Sequence, residues 1–107
     1  MGVMSYLKNI MQEEHRRLQA LCQKYMDKID SLPKGTVSIK KRNKNEYLYL
    51  ASRRDGKVKF DYIGSIGSKN ARKILEQVKY RKDYEHKLKQ VKDDLRQIEK
   101  AVHGRKI

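Results

Sequence analysis

Apolar and polar residues alternate between residues 36 and 64 with the period of two that is typical of β-strands. The alternation predicts three strands, over residues 36–41, 46–53 and 57–64. Turn-forming residues separate them, at residues 42–45 and at residues 54–56. Connections this short join neighbouring antiparallel strands, so the segment is predicted to be a β-meander.

The segments on either side of the meander have the helical spacing of three and four residues. Residues 3–31 predict a first helix, which Pro33 and Gly35 end and whose apolar stripe is interrupted at Glu14. Residues 68–102 predict a second helix, with Ser68 as its N-cap. The later part of its stripe has the regular spacing of a coiled coil: Leu88, Val91, Leu95, Ile98 and Val102.

These elements together predict an α+β fold class. Two long helices, antiparallel and coiled-coil-like, flank a three-stranded antiparallel β-meander within a single domain over residues 1–107. The apolar stripe of the second helix can pack on the first helix of the same chain or on a second chain. A homodimer through the helices therefore stays open.

The length of the second turn decides which side chains share a face of the sheet. A two-residue turn at Asp55-Gly56 pairs Arg54 with Lys57, whereas a three-residue turn pairs Arg53 with Lys57. The second register separates apolar from polar residues better, and we therefore favour it. Its packing face would consist of Leu48, Leu50, Val58, Phe60 and Tyr62. Its solvent face would consist of Tyr47, Tyr49, Ala51, Arg53, Lys57, Lys59, Asp61 and Ile63.

The chain is strongly basic, with a net charge of +14 over 107 residues. The excess of Lys and Arg over Asp and Glu is 1 in residues 1–33, 6 in residues 34–67 and 7 in residues 68–107. Basic charge concentrated on the sheet and the second helix favours a polyanionic partner, most simply nucleic acid. The plainer alternative is a solvated basic surface, or contact with a ribosome or a membrane surface.

Basic and aromatic residues coincide on the predicted solvent face. Lys and Arg neutralise phosphates, and tyrosines stack on bases or donate to phosphate oxygens. Charged strand residues also protect sheet edges from aggregation, which is the plainer explanation. The Gly/Ser connection before the second helix is more ordinarily a simple turn, but such a helix start can hold a phosphate. The candidate nucleic-acid-binding residues are Lys40, Arg42, Lys44, Tyr47, Tyr49, Arg53, Lys57, Lys59, Lys69 and Arg72.

No arrangement of residues in the sequence indicates catalysis. Cys22 is the single cysteine, and His15, His86 and His103 lack the spacing of metal ligands. No nucleophile–base pair is indicated either, so we expect a non-enzymatic protein with no metal and no cofactor. No apolar run approaches the roughly 18 residues of a membrane span, and no signal peptide is evident, which favours a cytoplasmic location without membrane contact.

The runs LPKGTVSIKK, EYLYL and DGKVKFDYIG, followed by a long charged helix, resemble an uncharacterised prokaryotic family of helix–meander–helix proteins. Residues 33–75 are also similar to the three-stranded arm-type DNA-binding domain of tyrosine-recombinase integrases and to transposase N-termini. The arm-type domains have no counterpart of the first helix, and their helix is much shorter than the second helix here. By resemblance, the residues on a nucleic-acid face would be Lys40, Tyr47, Tyr49, Arg53 and Lys57.

We therefore expect a small nucleic-acid-binding protein that uses the basic, tyrosine-bearing face of its sheet, with DNA favoured over RNA. The alternative is a protein-interaction module, such as a phage or mobile-element inhibitor of the anti-CRISPR type. Such a protein would dock on a nucleoprotein through the apolar stripes of its helices.

Overall fold

The structure, a computed structural model, describes residues 3–103. The elements in chain order are α1 (Val3–Asp30), β1 (Thr36–Arg42), β2 (Asn45–Arg54), β3 (Lys57–Ser65) and α2 (Lys69–His103). The strands form one antiparallel sheet in the order β1-β2-β3. The predicted α+β class, with two helices flanking a three-stranded antiparallel meander, is confirmed. Neither described helix contains a stretch that is both long and apolar enough to cross a membrane.

The described residues form two compact units. Residues 3–29 and 84–103 make up a helical unit, in which α1 is paired with the second half of α2. Residues 30–83 make up a sheet unit, which contains the three strands and the first half of α2.

The helices of the helical unit run antiparallel, as predicted. Nε2 of His15 lies 3.2 Å from Oε1 of Glu99, and the rings of Tyr25 and Tyr84 are 5.8 Å apart. Early residues of α1 therefore meet late residues of α2. Apolar side chains of both helices are buried along this contact, among them Leu18 and Val91.

Glu14, which interrupts the apolar stripe of α1, is half-buried and paired within its own helix. Nε of Arg17 donates a hydrogen bond of 2.9 Å to Oε2 of Glu14, and the second guanidinium nitrogen contacts Oε1. These hydrogen bonds hold the pKa of Glu14 below its ordinary value. A local ion pair thus explains a carboxylate at a stripe position.

The turn between β1 and β2 has two residues. Asn43 and Lys44 both have positive φ, at 49° and 71°, and Arg42 pairs with Asn45. Two such residues form the type I′ turn, whose twist matches that of the strands it joins. Each strand therefore extends one residue further towards this turn than the alternation predicted.

The turn between β2 and β3 also has two residues, so the favoured three-residue register is wrong. Asp55 and Gly56 have φ of 52° and 76°, and Ala51 rather than Leu50 lies opposite Phe60. The type I′ turn prevails because its twist fits the hairpin. A fully apolar packing face is not needed, since this face is only partly covered: Ile39, which pairs with the buried Leu48, is still 51% exposed.

The register fixes the two faces, because cross-strand partners share a face and neighbours along a strand alternate. One face, which we call the aromatic face, consists of Thr36, Ser38, Lys40 and Arg42 on β1, Asn45, Tyr47, Tyr49, Ala51 and Arg53 on β2, and Val58, Phe60, Tyr62 and Ser65 on β3. It is open to solvent, with Phe60 49% and Tyr62 59% exposed. The prediction that Val58, Phe60 and Tyr62 pack against a helix is therefore wrong.

The opposite face contains the core of the sheet unit. Leu48 has no exposed surface, and Ala71 and Val78 of α2 are buried with it. Because these are buried apolar side chains of the same unit, we place the first half of α2 against the face that Leu48 occupies. Nη1 and Nη2 of Arg81 donate to the carbonyl oxygens of Pro33 and Gly35, at 2.6 and 2.8 Å, and so tie α2 to the start of β1.

Candidate nucleic-acid interface

Four aromatic rings lie together on the aromatic face. The centroids of Tyr49 and Tyr62 are 5.4 Å apart with the rings at 64°, and those of Tyr47 and Tyr62 are 6.2 Å apart at 49°. Inclined contacts of this kind are the preferred geometry of aromatic pairs. Because the rings are inclined rather than stacked, they contact one another without covering each other's faces. The rings of Phe60 and Tyr62 therefore remain about half exposed to solvent.

Lys40 places a positive charge over these rings. Its Nζ lies 4.7 Å from the centroid of Tyr49 and 4.3 Å from that of Phe60. Both distances are within the range of cation–π attraction. The side chain therefore extends from β1 over β2 to β3, and it joins the basic and aromatic parts of the face.

Further basic residues stand at both ends of the aromatic face. Arg53 is opposite Val58 near the second turn, and Arg42 borders the first turn; both are exposed. Lys44, in the first turn, lines a shallow surface depression together with Tyr47. The strands, all of which the structure describes, place no Asp or Glu on this face. Its strand residues are therefore basic, aromatic, small or neutral.

Two predicted site residues, Lys57 and Lys59, lie on the opposite face. Lys59 pairs with Ser52, and Lys57 pairs with the residue before the turn. That face also carries the ion pair between Arg54 and Asp61. The prediction that Lys57 and Lys59 share a face with Tyr47 and Tyr49 is corrected, because the two-residue turn shifts β3 by one position.

Lys69 and Arg72 are exposed in the first turn of α2. Ser68 caps the start of α2, since its Oγ accepts a hydrogen bond of 3.2 Å from the backbone N–H of Ala71. Since α2 packs against the opposite face, the structure does not bring Lys69 and Arg72 to the aromatic face.

Close packing explains why the connection before α2 has a glycine at position 64. Its φ is 154°, and a Cβ there would lie 2.8 Å from Oγ of Ser68. The residue is buried, and it pairs with Leu48 at the point where the β2–β3 register shifts. Glycine therefore lets the strand pass close to the capping serine.

Of the ten candidate residues, the structure brings five to the aromatic face and places Lys44 beside it. The five are Lys40, Arg42, Tyr47, Tyr49 and Arg53. Phe60 and Tyr62 are not among the predicted site residues, because the prediction ranks the separation of apolar from polar residues above turn chemistry. An Asp-Gly pair between two alternating runs is a strong signal for a two-residue hairpin, and it would have found them.

A family model described as a domain of unknown function, DUF6788, matches residues 11–73. This stretch includes most of α1, the whole sheet and the start of α2, and it is more than half of the 107 residues. Searches of curated proteins and of solved structures find no match to the chain.

Proposed function

Because the chain belongs to the DUF6788 family, a domain of unknown function, we propose its activity from the geometry of the sheet. The protein is a small, non-enzymatic, cytoplasmic nucleic-acid-binding protein whose aromatic face contacts the ligand. One observation carries the proposal: four aromatic rings and Lys40 share an exposed sheet face whose strand residues include no carboxylate.

The exposed rings and the basic charge support the proposal together. Rings half exposed on a sheet face form the type of patch that marks an interaction surface. A net charge of +14 favours a polyanion as the partner. Nucleic acid offers both phosphates for the basic groups and bases for the rings. DNA, which the sequence favours over RNA, is the first ligand to test.

The test is a binding series by fluorescence anisotropy with duplex DNA, single-stranded DNA and RNA. The series is run between about 50 mM and about 200 mM salt, where phosphate contacts lose much of their affinity. We expect binding that weakens steeply as salt rises. Absent or salt-insensitive binding to all three polymers would contradict the proposal.

Two double variants, each of which loses two positive charges, locate the binding surface. Arg42→Ala with Arg53→Ala removes two cations from the aromatic face, whereas Lys57→Ala with Lys59→Ala removes two from the opposite face. We expect the first pair to weaken binding and to reduce the salt slope by about 0.7–0.9 for each phosphate that is no longer neutralised. The second pair should cause a clearly smaller change. Equal reductions in affinity would argue against the aromatic face as the binding surface.

A protein-interaction module, such as a phage or mobile-element inhibitor that docks on a nucleoprotein, is the second candidate. Exposed apolar residues on neighbouring turns of α1 favour it, namely Tyr6, Leu7 and Ile10. Such side chains are the usual anchors of a helix in a groove. A defined protein retained after nuclease treatment, and released by Leu7→Arg with Ile10→Arg, would favour this candidate over nucleic-acid binding.

A further inference from the structure

We infer that the aromatic face binds single-stranded nucleic acid by stacking unpaired bases on its rings. The inference rests on the proposed function and specifies its ligand. It begins with Phe60, which has no hydrogen-bonding group and is 49% exposed on β3. In a duplex the base faces are covered by their neighbours, and only base edges and phosphates are accessible. Phe60 has little to offer to those edges, but its ring fits the face of an unpaired base.

The spacing of the rings also favours an unstacked strand. Phe60 and Tyr62 are two residues apart on β3, and so are Tyr47 and Tyr49 on β2. Two residues of a strand span about 6.7 Å. Stacked bases of a duplex follow each other at about 3.4 Å along each strand. Successive bases can therefore meet successive rings only where the nucleic acid is extended to about twice the duplex rise.

The ammonium group of Lys40 can exchange its contact with the rings for a contact with a phosphate of the ligand. In the free protein its ammonium group lies over Tyr49 and Phe60. An arriving base covers the same rings and brings a phosphate with it. The flexible four-carbon stem of lysine lets the ammonium group move from the ring to that phosphate. Arg42 and Arg53, at the two ends of the face, are placed to hold the backbone on either side of the stacked bases.

A second copy of the chain is a poorer occupant of the aromatic face. Packing two such faces together would bring Lys40, Arg42 and Arg53 of both copies into one interface, with no carboxylate among its strand residues. Like charges without partners are costly to bury. A polyanion removes that cost, because its phosphates neutralise the same groups.

The experiment compares labelled oligonucleotides of about 20 nucleotides, longer than the roughly 4–16 nucleotides that such a surface covers. The probes are oligothymidine, oligouridine, a duplex of equal length and an abasic strand that keeps the phosphates without bases. We expect the full-length protein to bind oligothymidine or oligouridine about tenfold or more tighter than the abasic strand and the duplex. The two homopolymers distinguish DNA from RNA as the preferred source of unpaired bases.

Ring variants test the stacking contact itself. Phe60→Leu and Tyr62→Leu keep an apolar side chain but remove the ring, and each should weaken binding to the preferred homopolymer about fivefold to a hundredfold. Binding to the abasic strand should hardly change. The matched control is Tyr80→Leu, since Tyr80 is 49% exposed and lies on α2 rather than on the sheet. Circular dichroism verifies that each variant is folded.

The outcomes separate the inference from the function on which it rests. Equal binding of all four probes, tighter binding of the duplex, or unchanged homopolymer affinity in folded Phe60→Leu overturns the stacking inference and leaves nucleic-acid binding in place. Absent binding to every probe overturns both, as does self-association through the aromatic face without any binding. The comparison of homopolymer with abasic strand uses the unmodified protein, so the inference stays falsifiable if a variant fails to fold.

Discussion

Lys40 and Phe60 lie on strands that are not neighbours, yet Nζ of Lys40 is 4.3 Å from the centroid of the Phe60 ring. The contact crosses β2 and passes Tyr49, whose ring lies 4.7 Å from the same nitrogen. It requires the two-residue turn at Asp55-Gly56. A shift of one residue would put Phe60 on the opposite face and leave Lys40 without this ring.

Lys40→Met should weaken single-strand binding and reduce the salt slope by about 0.7, the value for one phosphate contact on a single strand. Lys57→Met removes an equal charge from the opposite face and serves as the control. Affinities measured across a salt series by fluorescence anisotropy give both slopes. If the two variants have the same slope, Lys40 makes no phosphate contact of its own.

Leu48→Ala should lower the free energy of unfolding by about 3 kcal/mol, because Leu48 is fully buried and the change leaves a cavity. Phe60→Ala removes a larger side chain but should cost about 1 kcal/mol or less, since the ring is half exposed. Urea unfolding followed by circular dichroism measures both. The three-residue register would bury Phe60 beside Leu48, so a cost for Phe60→Ala as large as that for Leu48→Ala would contradict the structure.

Substitution of three glycines by alanine should give three different costs. Gly35 has φ of 112°, and a Cβ there would lie 2.5 Å from the carbonyl oxygen of Ala51, so Gly35→Ala should cost about 3 kcal/mol. Gly56→Ala meets no neighbouring atom but keeps a φ of 76°, which costs about 1 kcal/mol.

Gly67→Ala is the control in this series, because a Cβ there meets nothing within 4 Å. Its effect should stay within about 0.5 kcal/mol. Chemical unfolding of the three variants under one set of conditions measures the order. A cost for Gly56→Ala as small as that for Gly67→Ala would argue against a type I′ turn in the second hairpin.

Arg81→Met should destabilise the protein by about 2 kcal/mol. The guanidinium donates to the carbonyl oxygens of Pro33 and Gly35, which are only partly exposed, and methionine cannot replace either hydrogen bond. Lys79→Met, an exposed position on the same helix, is the control and should be nearly neutral. Thermal and urea unfolding measure the difference. Similar stabilities of the two variants would mean that these hydrogen bonds contribute little.

Arg17→Met should raise the pKa of Glu14 towards its ordinary value of 4.5, because Arg17 hydrogen bonds lower it. A lowered pKa in the folded state means that the pair stabilises the fold above the unfolded pKa and loses its effect as pH falls through the folded pKa. An NMR titration of the Glu14 carboxyl group measures the change, with Arg16→Met as the control. An unchanged titration curve in Arg17→Met would exclude the pair as the cause.

The sequence predicted the elements well, because their signals are local. Helical spacing, the Pro33 and Gly35 stop and the Ser68 cap located both helices to within two residues of their ends. The faces of β3 were harder to predict, since they depend on tertiary context. Alternation shows which residues of one strand share a face. Which residues of the next strand lie on that same face depends on the length of the turn and on which part of the sheet the helix covers.

The candidate site could be predicted only where it depends on alternation within one strand. Tyr47, Tyr49 and Arg53 belong to β2, whose alternation with Leu48 and Leu50 was correctly interpreted. In the structure Lys57 and Lys59 lie on the opposite face, and Phe60 and Tyr62 of the same strand lie on the aromatic face in their place. Exposed aromatic residues violate the expectation that large rings are buried, so an apolar pattern alone assigns them to the core.

The hydrogen bonds of Arg81 have a consequence for how the chain folds. They connect Arg81 to the carbonyl of Pro33, 48 residues earlier, within the uninterrupted stretch that forms the sheet unit. Closing a flexible loop of that length costs on the order of 3 kcal/mol in chain entropy. The two-residue hairpins and the Arg81 bonds offset this cost with contacts that lie wholly within the sheet unit and do not require α1 or the end of α2. We therefore expect the sheet unit to fold first and the terminal helical segments to associate afterwards.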